Sequence, residues 1–375
     1  MPSPSALQEK TRAASGCRIT IKVGSNVLTR SDGLLDITRL SAIVEQVASL
    51  RQQGHEVLLV SSGSIASGRS ELRQVHLGKM PPLDVRQLYS AVGQARLISI
   101  YYSLFRHYGL FAGQVLTMKE NFATRRHYLN QRNCMEVMLS RGITPIINEN
   151  DTASVTELMF TDNDELASLV ATMMRCDLLI LLTNVDGIFT APPTSPDARL
   201  LTTIAADDDI DRYILPTTSD FGRGGMRTKA ATCRQVAREG IPVIIANGRR
   251  EHILTDLLAG KEVPATRFLP SSSPVSSVKR WLSHSETFSK GAIQLNANAV
   301  SRVLGPQAVS ILPIGVTALQ GQWEEHDLIA VLDPQGHPIG VGRAECGSDK
   351  AQTLLGKKGQ KPLIHYDYLY LSPNP

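Results

Sequence analysis

The chain has 375 residues, 42% of them hydrophobic and 20% charged, with a formal net charge of +4 at pH 7. That length predicts two domains, and the composition excludes wholesale disorder, collagen and coiled coil. So small a charge excess is no signature of a nucleic-acid binder.

Residues 1–16 are rich in Ser, Pro and Ala but lack an apolar core, so they read as a disordered leader and not as a secretory signal. Further on, five nearly continuous apolar runs predict parallel strands covered on both faces: Ile19–Val23, Val57–Val60, Thr144–Ile147, Leu178–Leu182 and Val243–Ile245. Helical periodicity lies between them. Asp36 is placed to cap a helix carrying Leu40, Ile43, Val44, Val47 and Leu50 on one face and stopped by Gly54. A second such face carries Leu166, Leu169, Val170, Met173 and Met174. Alternating strands and helices predict an α/β sandwich. The run near Leu178–Leu182 falls short of the ~20 apolar residues that cross a bilayer.

Pro264–Ser277 reads as a linker. Beyond Thr287, Gly and Pro recur between short apolar runs such as Val309–Leu312 and Leu328–Leu332, the pattern of a small all-β domain. The domains are therefore expected at 17–264 and 287–375, with a linker over 265–286. The five cysteines, Cys17, Cys134, Cys176, Cys233 and Cys346, are odd in number and contain no CxxC. They argue against a disulfide framework or a zinc site and point to the cytoplasm. No HxxxH or HExxH pair suggests a metal site either.

Small, polar and Gly residues follow every predicted strand: Gly24-Ser25-Asn26, Ser61-Ser62-Gly63-Ser64, Asn148-Glu149-Asn150-Asp151, Thr183-Asn184-Val185-Asp186-Gly187 and Ala246-Asn247-Gly248. In open α/β sheets, ligands bind outside the carboxyl ends of the strands. Gly222 to Lys229 opens a helix with consecutive glycines and ends on a lysine, which suits phosphate and equally describes a flexible loop with a solvated lysine. Gly63–Gly68 is a second anion cradle or a plain turn. Lys22 stands inside an apolar strand and needs a partner or an anion there, unless it snorkels at the strand edge. From Pro145 to Val170 there are six acidic residues and no Lys or Arg. The densest point, Asp162-Asn163-Asp164, is placed to orient Mg²⁺ or phosphate-bound lysines, or to cap a helix. Two lysines, two Gly-rich loops and an acidic turn on one sheet edge make up the equipment for phosphoryl transfer.

In the order and spacing of seven stretches the chain resembles the glutamate 5-kinases of the amino-acid kinase superfamily. These are Ile21–Leu28, Ser61–Gly68, Ala91–Gln94, Pro145–Asp151, Asp162–Asp164, Leu182–Ile188 and Gly224–Lys229. The tail, with Ser310–Gly315 and Gly321, resembles a PUA domain. The resemblance implies a three-layer α/β sandwich with a mainly parallel sheet and a small all-β PUA-like domain. It implies ATP-dependent phosphorylation of L-glutamate to L-glutamate 5-phosphate, the first step of proline synthesis, with ATP and Mg²⁺. Lys22 and Lys229 would neutralise the transferring phosphate and Asp164 would orient them. Ser62, Asp151 and Asn163 would bind glutamate. Lys22, Thr183, Asn184, Arg223, Gly224, Gly225, Met226, Arg227, Thr228 and Lys229 would hold ATP. Proline as feedback inhibitor, a homo-oligomer and a partnership with glutamate 5-phosphate reductase are further implications.

The chain departs from the family pattern in places. Met159 and Thr161 stand where a Lys and a Gly usually precede Asp-Asn-Asp. Asn184 stands where Asp is usual, and Arg223 and Arg227 replace small residues in the phosphate loop. Leu295–Ala299 replaces a stretch with more Gly and Asp. Met159 and the arginine-bearing loop motivate a rival reading, a non-catalytic RNA-binding or regulatory paralogue. Seven basic and seven acidic residues from Thr287 onward weigh against RNA binding by the tail. A kinase for a related amino acid is the nearer alternative, which the PUA-like tail disfavours.

Overall fold

The computed structural model describes residues 16–122, 125–153, 160, 162–206, 208, 226–271, 289–305 and 309–371. Residues 1–15 of the predicted leader, Met159, Thr161, Arg223, Gly224, Gly225 and most of the expected linker lie outside them. The chain falls into two compact units, Met1–Met118 with Arg132–Pro274, and Lys119–Gln131 with Val275–Pro375.

The five apolar runs are parallel strands of one sheet: β1 (Arg18–Val23), β2 (Glu56–Ser61), β4 (Ile143–Glu149), β5 (Leu178–Thr183) and β7 (Val243–Asn247). Three strands join them, β3 (Phe111–Thr117), β6 (Thr203–Ala205) and β8 (Ala265–Leu269), in the order β3-β4-β2-β1-β5-β7-β8-β6. Residues 265–269 are thus a strand, antiparallel to β7, where the sequence predicts linker. Burial of Ala265 and Phe268 is the reason.

Side-chain alternation along β1 explains the layers. Ile19, Ile21 and Val23 enter one core with α2 (Ile37–Gln52), α4 (Pro82–His107) and α8 (Ile253–Leu258). Thr20 and Lys22 take the other face, where α6 (Asn163–Met173) packs. Asp36 caps α2 as expected, accepting from Arg39 N at 2.9 Å. The remaining helices of this unit are α1 (Ser25–Leu28), α3 (Ser64–Glu71) and α7 (Met226–Arg238), while α5 (Arg125–Ser140) begins within the second unit's bounds.

In the second unit β9 (Gly291–Leu295), β10 (Val316–Gly321), β11 (Leu328–Leu332), β12 (Pro338–Ala344) and β13 (Ile364–Leu371) form a sheet of order β10-β9-β11-β12-β13. All pairs are antiparallel except β9 with β11. Two short helices, α9 (Ala297–Val303) and α10 (Ser348–Leu354), accompany it. Trp323 anchors its core among Ile293, Ile329, Val331 and Ile364, and its indole N–H donates to Cys346 O at 3.1 Å.

Candidate functional site

The carboxyl ends of β1, β2, β4, β5 and β7 carry the functional side chains. Lys22 is only 6% exposed. A strand can hold an ammonium so deeply because Asp164, 1% exposed, lies opposite it. Lys22 Nζ stands 2.6 Å from Asp164 Oδ1, an ion pair without hydrogen-bond alignment. Asp164 Oδ2 accepts from Lys229 Nζ, in the first turn of α7. One buried carboxylate therefore holds two lysines 207 positions apart in sequence.

The start of α6 fixes that carboxylate. Asp162 caps the helix, its Oδ1 accepting from Asp164 N and Glu165 N at 2.9 and 3.1 Å. Burial alone would raise the Asp164 carboxyl. The two ammonium groups outweigh it and hold Asp164 well below the usual carboxylate range. For Lys229, burial alone would lower the ammonium, but Asp164 raises it above the ordinary lysine value. Asp162 is pushed up, by burial first and by the Asp164 charge second. The two ammonium groups and the Asp164 carboxylate meet at this edge, and Asp162 interacts with all three charges. Gly24 keeps access open beside it, since a Cβ there would lie 3.3 Å from Lys22 Nζ and 3.2 Å from Leu182 O.

Beside the lysines, Asn163 Nδ2 donates to Ser62 Oγ at 2.9 Å and to Asn148 Oδ1 at 3.0 Å. Asn148 Nδ2 in turn donates to Gln94 Oε1 at 2.9 Å. Both amide hydrogens of Asn163 are thereby engaged, so Asn163 presents its Oδ1, an acceptor. Ser62 accepts from Asn163, so its hydroxyl proton is available to an anion. Asp151, 5% exposed, accepts from Arg86 Nε and Nη2 at 3.1 and 2.5 Å and from Ser90 Oγ at 3.1 Å.

On the other side, Thr183 Oγ1 closes the turn after β5, donating to Val185 O at 2.8 Å, and Asn184 is exposed. Asp186 and Arg250 form a two-bond ion pair at 2.8 and 2.9 Å, with Asn247 donating to Asp186 Oδ1 at 3.1 Å. Met226, Arg227 and Thr228 open α7. The structure thus joins Lys22, Asp164 and Lys229 in one cluster and Ser62 with Asn163 in another. Asp151 is held by Arg86 and Ser90 from α4, and Thr183 and Asn184 stand on the end of β5.

Sequence reasoning missed Arg86, Ser90, Gln94 and Asn148 as members of the site. The Ala91–Gln94 and Pro145–Asp151 stretches contain two of them and were the available signal. Gln94 is 8% exposed and ends the amide relay. Gln94→Leu should leave the Asn148 amide N–H without its acceptor, at a stability loss of about 1–3 kcal/mol, and raise KM for the ligand of Asn163. Gln94→Glu keeps the acceptor oxygen and should hold KM near wild type, while its carboxylate, at a site 8% exposed, lowers stability. Urea unfolding and KM for both variants check this.

A phosphotransferase of the amino acid kinase family is what this fold and lysine–carboxylate edge define: that family's model matches residues 18–247, and the PUA domain model matches residues 291–366. A glutamate 5-kinase of Bacteroides thetaiotaomicron is 54% identical over 355 residues, 94% of this chain and 98% of its own. One from Chlorobaculum tepidum is 42% identical over 95% of this chain and 98% of its own. One from Chromohalobacter salexigens is 36% identical over 98% and 99%. The chain belongs to the glutamate 5-kinases.

Proposed function

We propose that the edge bearing Lys22, Asp164 and Lys229 transfers the γ-phosphoryl group of ATP to the side-chain carboxylate of L-glutamate. The product is L-glutamate 5-phosphate, the first intermediate of proline synthesis. The observation that carries the assignment of roles is the buried Asp164 gripping two lysines at the mouth of the sheet.

The acceptor is a carboxylate, ionised at neutral pH, so no general base is required. One of its oxygens attacks the γ-phosphorus and the bond to the β–γ bridging oxygen breaks. Lys22 and Lys229 offset charge on the transferring group and on ADP. Asp164 holds the two ammonium groups at a fixed separation. Ser62 donates to a substrate carboxylate, and Asn163 Oδ1 and Asp151 accept from the α-ammonium. Thr183, Asn184, Met226, Arg227 and Thr228, with Arg223, Gly224 and Gly225, hold the nucleotide.

Among the described residues no three His, Cys, Asp or Glu side chains converge as a metal cage requires. Both oxygens of Asp164 already face lysines. These donors do not fit a resident Mg²⁺; we assign the ion to the nucleotide's phosphates, and no step above is routed through it. No helix among the described residues is long and apolar enough to cross a membrane. A cytoplasmic enzyme, a homo-oligomer, inhibition by proline and transfer of the labile acyl phosphate to glutamate 5-phosphate reductase complete the proposal.

The test is ADP release from Mg-ATP with L-glutamate, N-acetylglutamate, aspartate or no acceptor, with hydroxylamine trapping of acyl phosphate. The expected result is glutamate-dependent ADP with matching hydroxamate. Turnover with another acid would change the substrate. ATP binding without turnover on any acid, together with salt-sensitive RNA binding, would favour the regulatory paralogue.

A further inference from the structure

One face of α4 meets the whole turn at the carboxyl end of β4. Arg86, Ser90 and Gln94 follow one another at helical spacing of four, which places them in a single stripe. Gln94 accepts from Asn148 at 2.9 Å. Arg86 sits 3.7 Å from Glu149 Oε2, whose other oxygen accepts from Phe160 N at 3.0 Å. Arg86 also donates from Nε and Nη2 to a single oxygen of Asp151, Oδ1, and Ser90 donates to Oδ2. A guanidinium is planar and presents its donors in a fixed fork, so the two bonds fix the position of Asp151. A carboxylate oxygen accepts more than one donor, and Oδ2 can take an ammonium N–H beside the Ser90 hydroxyl.

We propose that Arg86, assisted by Ser90, is a positioning residue that sets Asp151 to receive the α-ammonium of the amino-acid substrate. The inference rests on the glutamate reading of Asp151 given above. Arg86 itself touches no substrate in this account. Its hydrogen bonds to Asp151 carry this effect, and its longer contact with Glu149 is shared by every variant that keeps Arg86.

The experiment is a double-mutant cycle on kcat/KM for glutamate, with KM for ATP measured alongside. Arg86→Gln should lower kcat/KM for glutamate by about tenfold, the size expected for losing a hydrogen bond to a charged group. The loss should fall on KM for glutamate and leave KM for ATP within about twofold. Arg86→Lys, which keeps the charge and folds more readily, should restore part of it. Asp151→Asn should be worse than either, and adding Arg86→Gln to it should cost nothing more. A double variant about tenfold worse than Asp151→Asn would overturn the inference, as would equal rises in KM for ATP and glutamate in either Arg86 variant. Wild-type enzyme without glutamate-dependent turnover would instead remove the glutamate reading, and this inference with it.

Discussion

Lys229→Met should lower kcat for acyl phosphate formation by about 10²–10³-fold, the usual cost of deleting one donor aimed at developing charge. Methionine nearly matches the length and volume of the lysine stem, so the first turn of α7 keeps its packing. Asp164 keeps Lys22 as its counter-ion. What disappears is one of the two ammonium groups facing the transferring phosphoryl group. A kcat within twofold of wild type would remove Lys229 from the chemistry. The pH profile adds a second check. Asp164 is held below the ordinary carboxylate value and Lys229 above the ordinary lysine value. A lowered carboxyl stabilises the fold above its unfolded pKa, and that contribution is lost only as pH falls through the folded value. For Lys229 the contribution is present at neutral pH and is lost as pH rises through its raised value. Both therefore keep their charges across neutrality, and neither Asp164 nor Lys229 should add an inflection to kcat between about pH 6 and about pH 9.

A second large effect is expected at Gly93. Helices α3 and α4 approach so closely there that a Cβ on Gly93 would fall inside the van der Waals shell of Ser64 O and of the Gly68 backbone. A Cβ on Gly68 would meet Tyr89 O in the same way. These obstacles are backbone, so they cannot rotate aside; the helices must separate. Gly93→Ala should cost about 3 kcal/mol or more, the upper range for overpacking, and lower Tm accordingly. Because α4 carries Arg86, Ser90 and Gln94, KM for glutamate should rise as well. Gly113→Ala is the control. Its nearest obstacle is the Met138 thioether methyl at 2.7 Å, the free end of a flexible side chain, so Tm should shift little. Differential scanning calorimetry of the two variants separates the cases, and equal shifts would refute the helix-contact argument.

Central strands and charged anomalies were legible in the sequence; edges and neutral relays were not. The strands β1, β2, β4, β5 and β7 are buried on both faces, so each shows as an apolar run. The edge strand β3 exposes Phe111 and Leu116 and hides Val115 and Thr117, which blurs the pattern. β8 was obscured by its position between Pro264 and Pro270, which read as linker. Lys22 stood out because a charge inside an apolar strand demands a partner, and Asp164 because it lies in the densest acidic turn, Asp162-Asn163-Asp164. Gln94 and Asn148 did not, because neutral amides are ordinary in any helix or strand. Their partnership joins positions 54 apart, a distance over which no local pattern reports. The role of Arg86 was hidden for the same reason, since Asp151 lies 65 positions further on.

The placement of β1 at the middle of the sheet also bears on how the chain is made. On the ribosome β1 soon acquires β2 as one neighbour. Its other neighbour is β5, and the contact that fastens them at their base, Arg18 N to Asp177 Oδ2, spans 159 residues. Until β5 emerges, β1 keeps an open edge of unpaired amides and carbonyls, the kind of edge that recruits foreign strands. Lys22 is synthesised early but acquires Asp164 only when α6 follows, and Lys229 later still. A nascent chain stalled before Asp164 should therefore present both an adhesive strand and an uncompensated lysine, a state suited to chaperone capture before any catalytic centre exists.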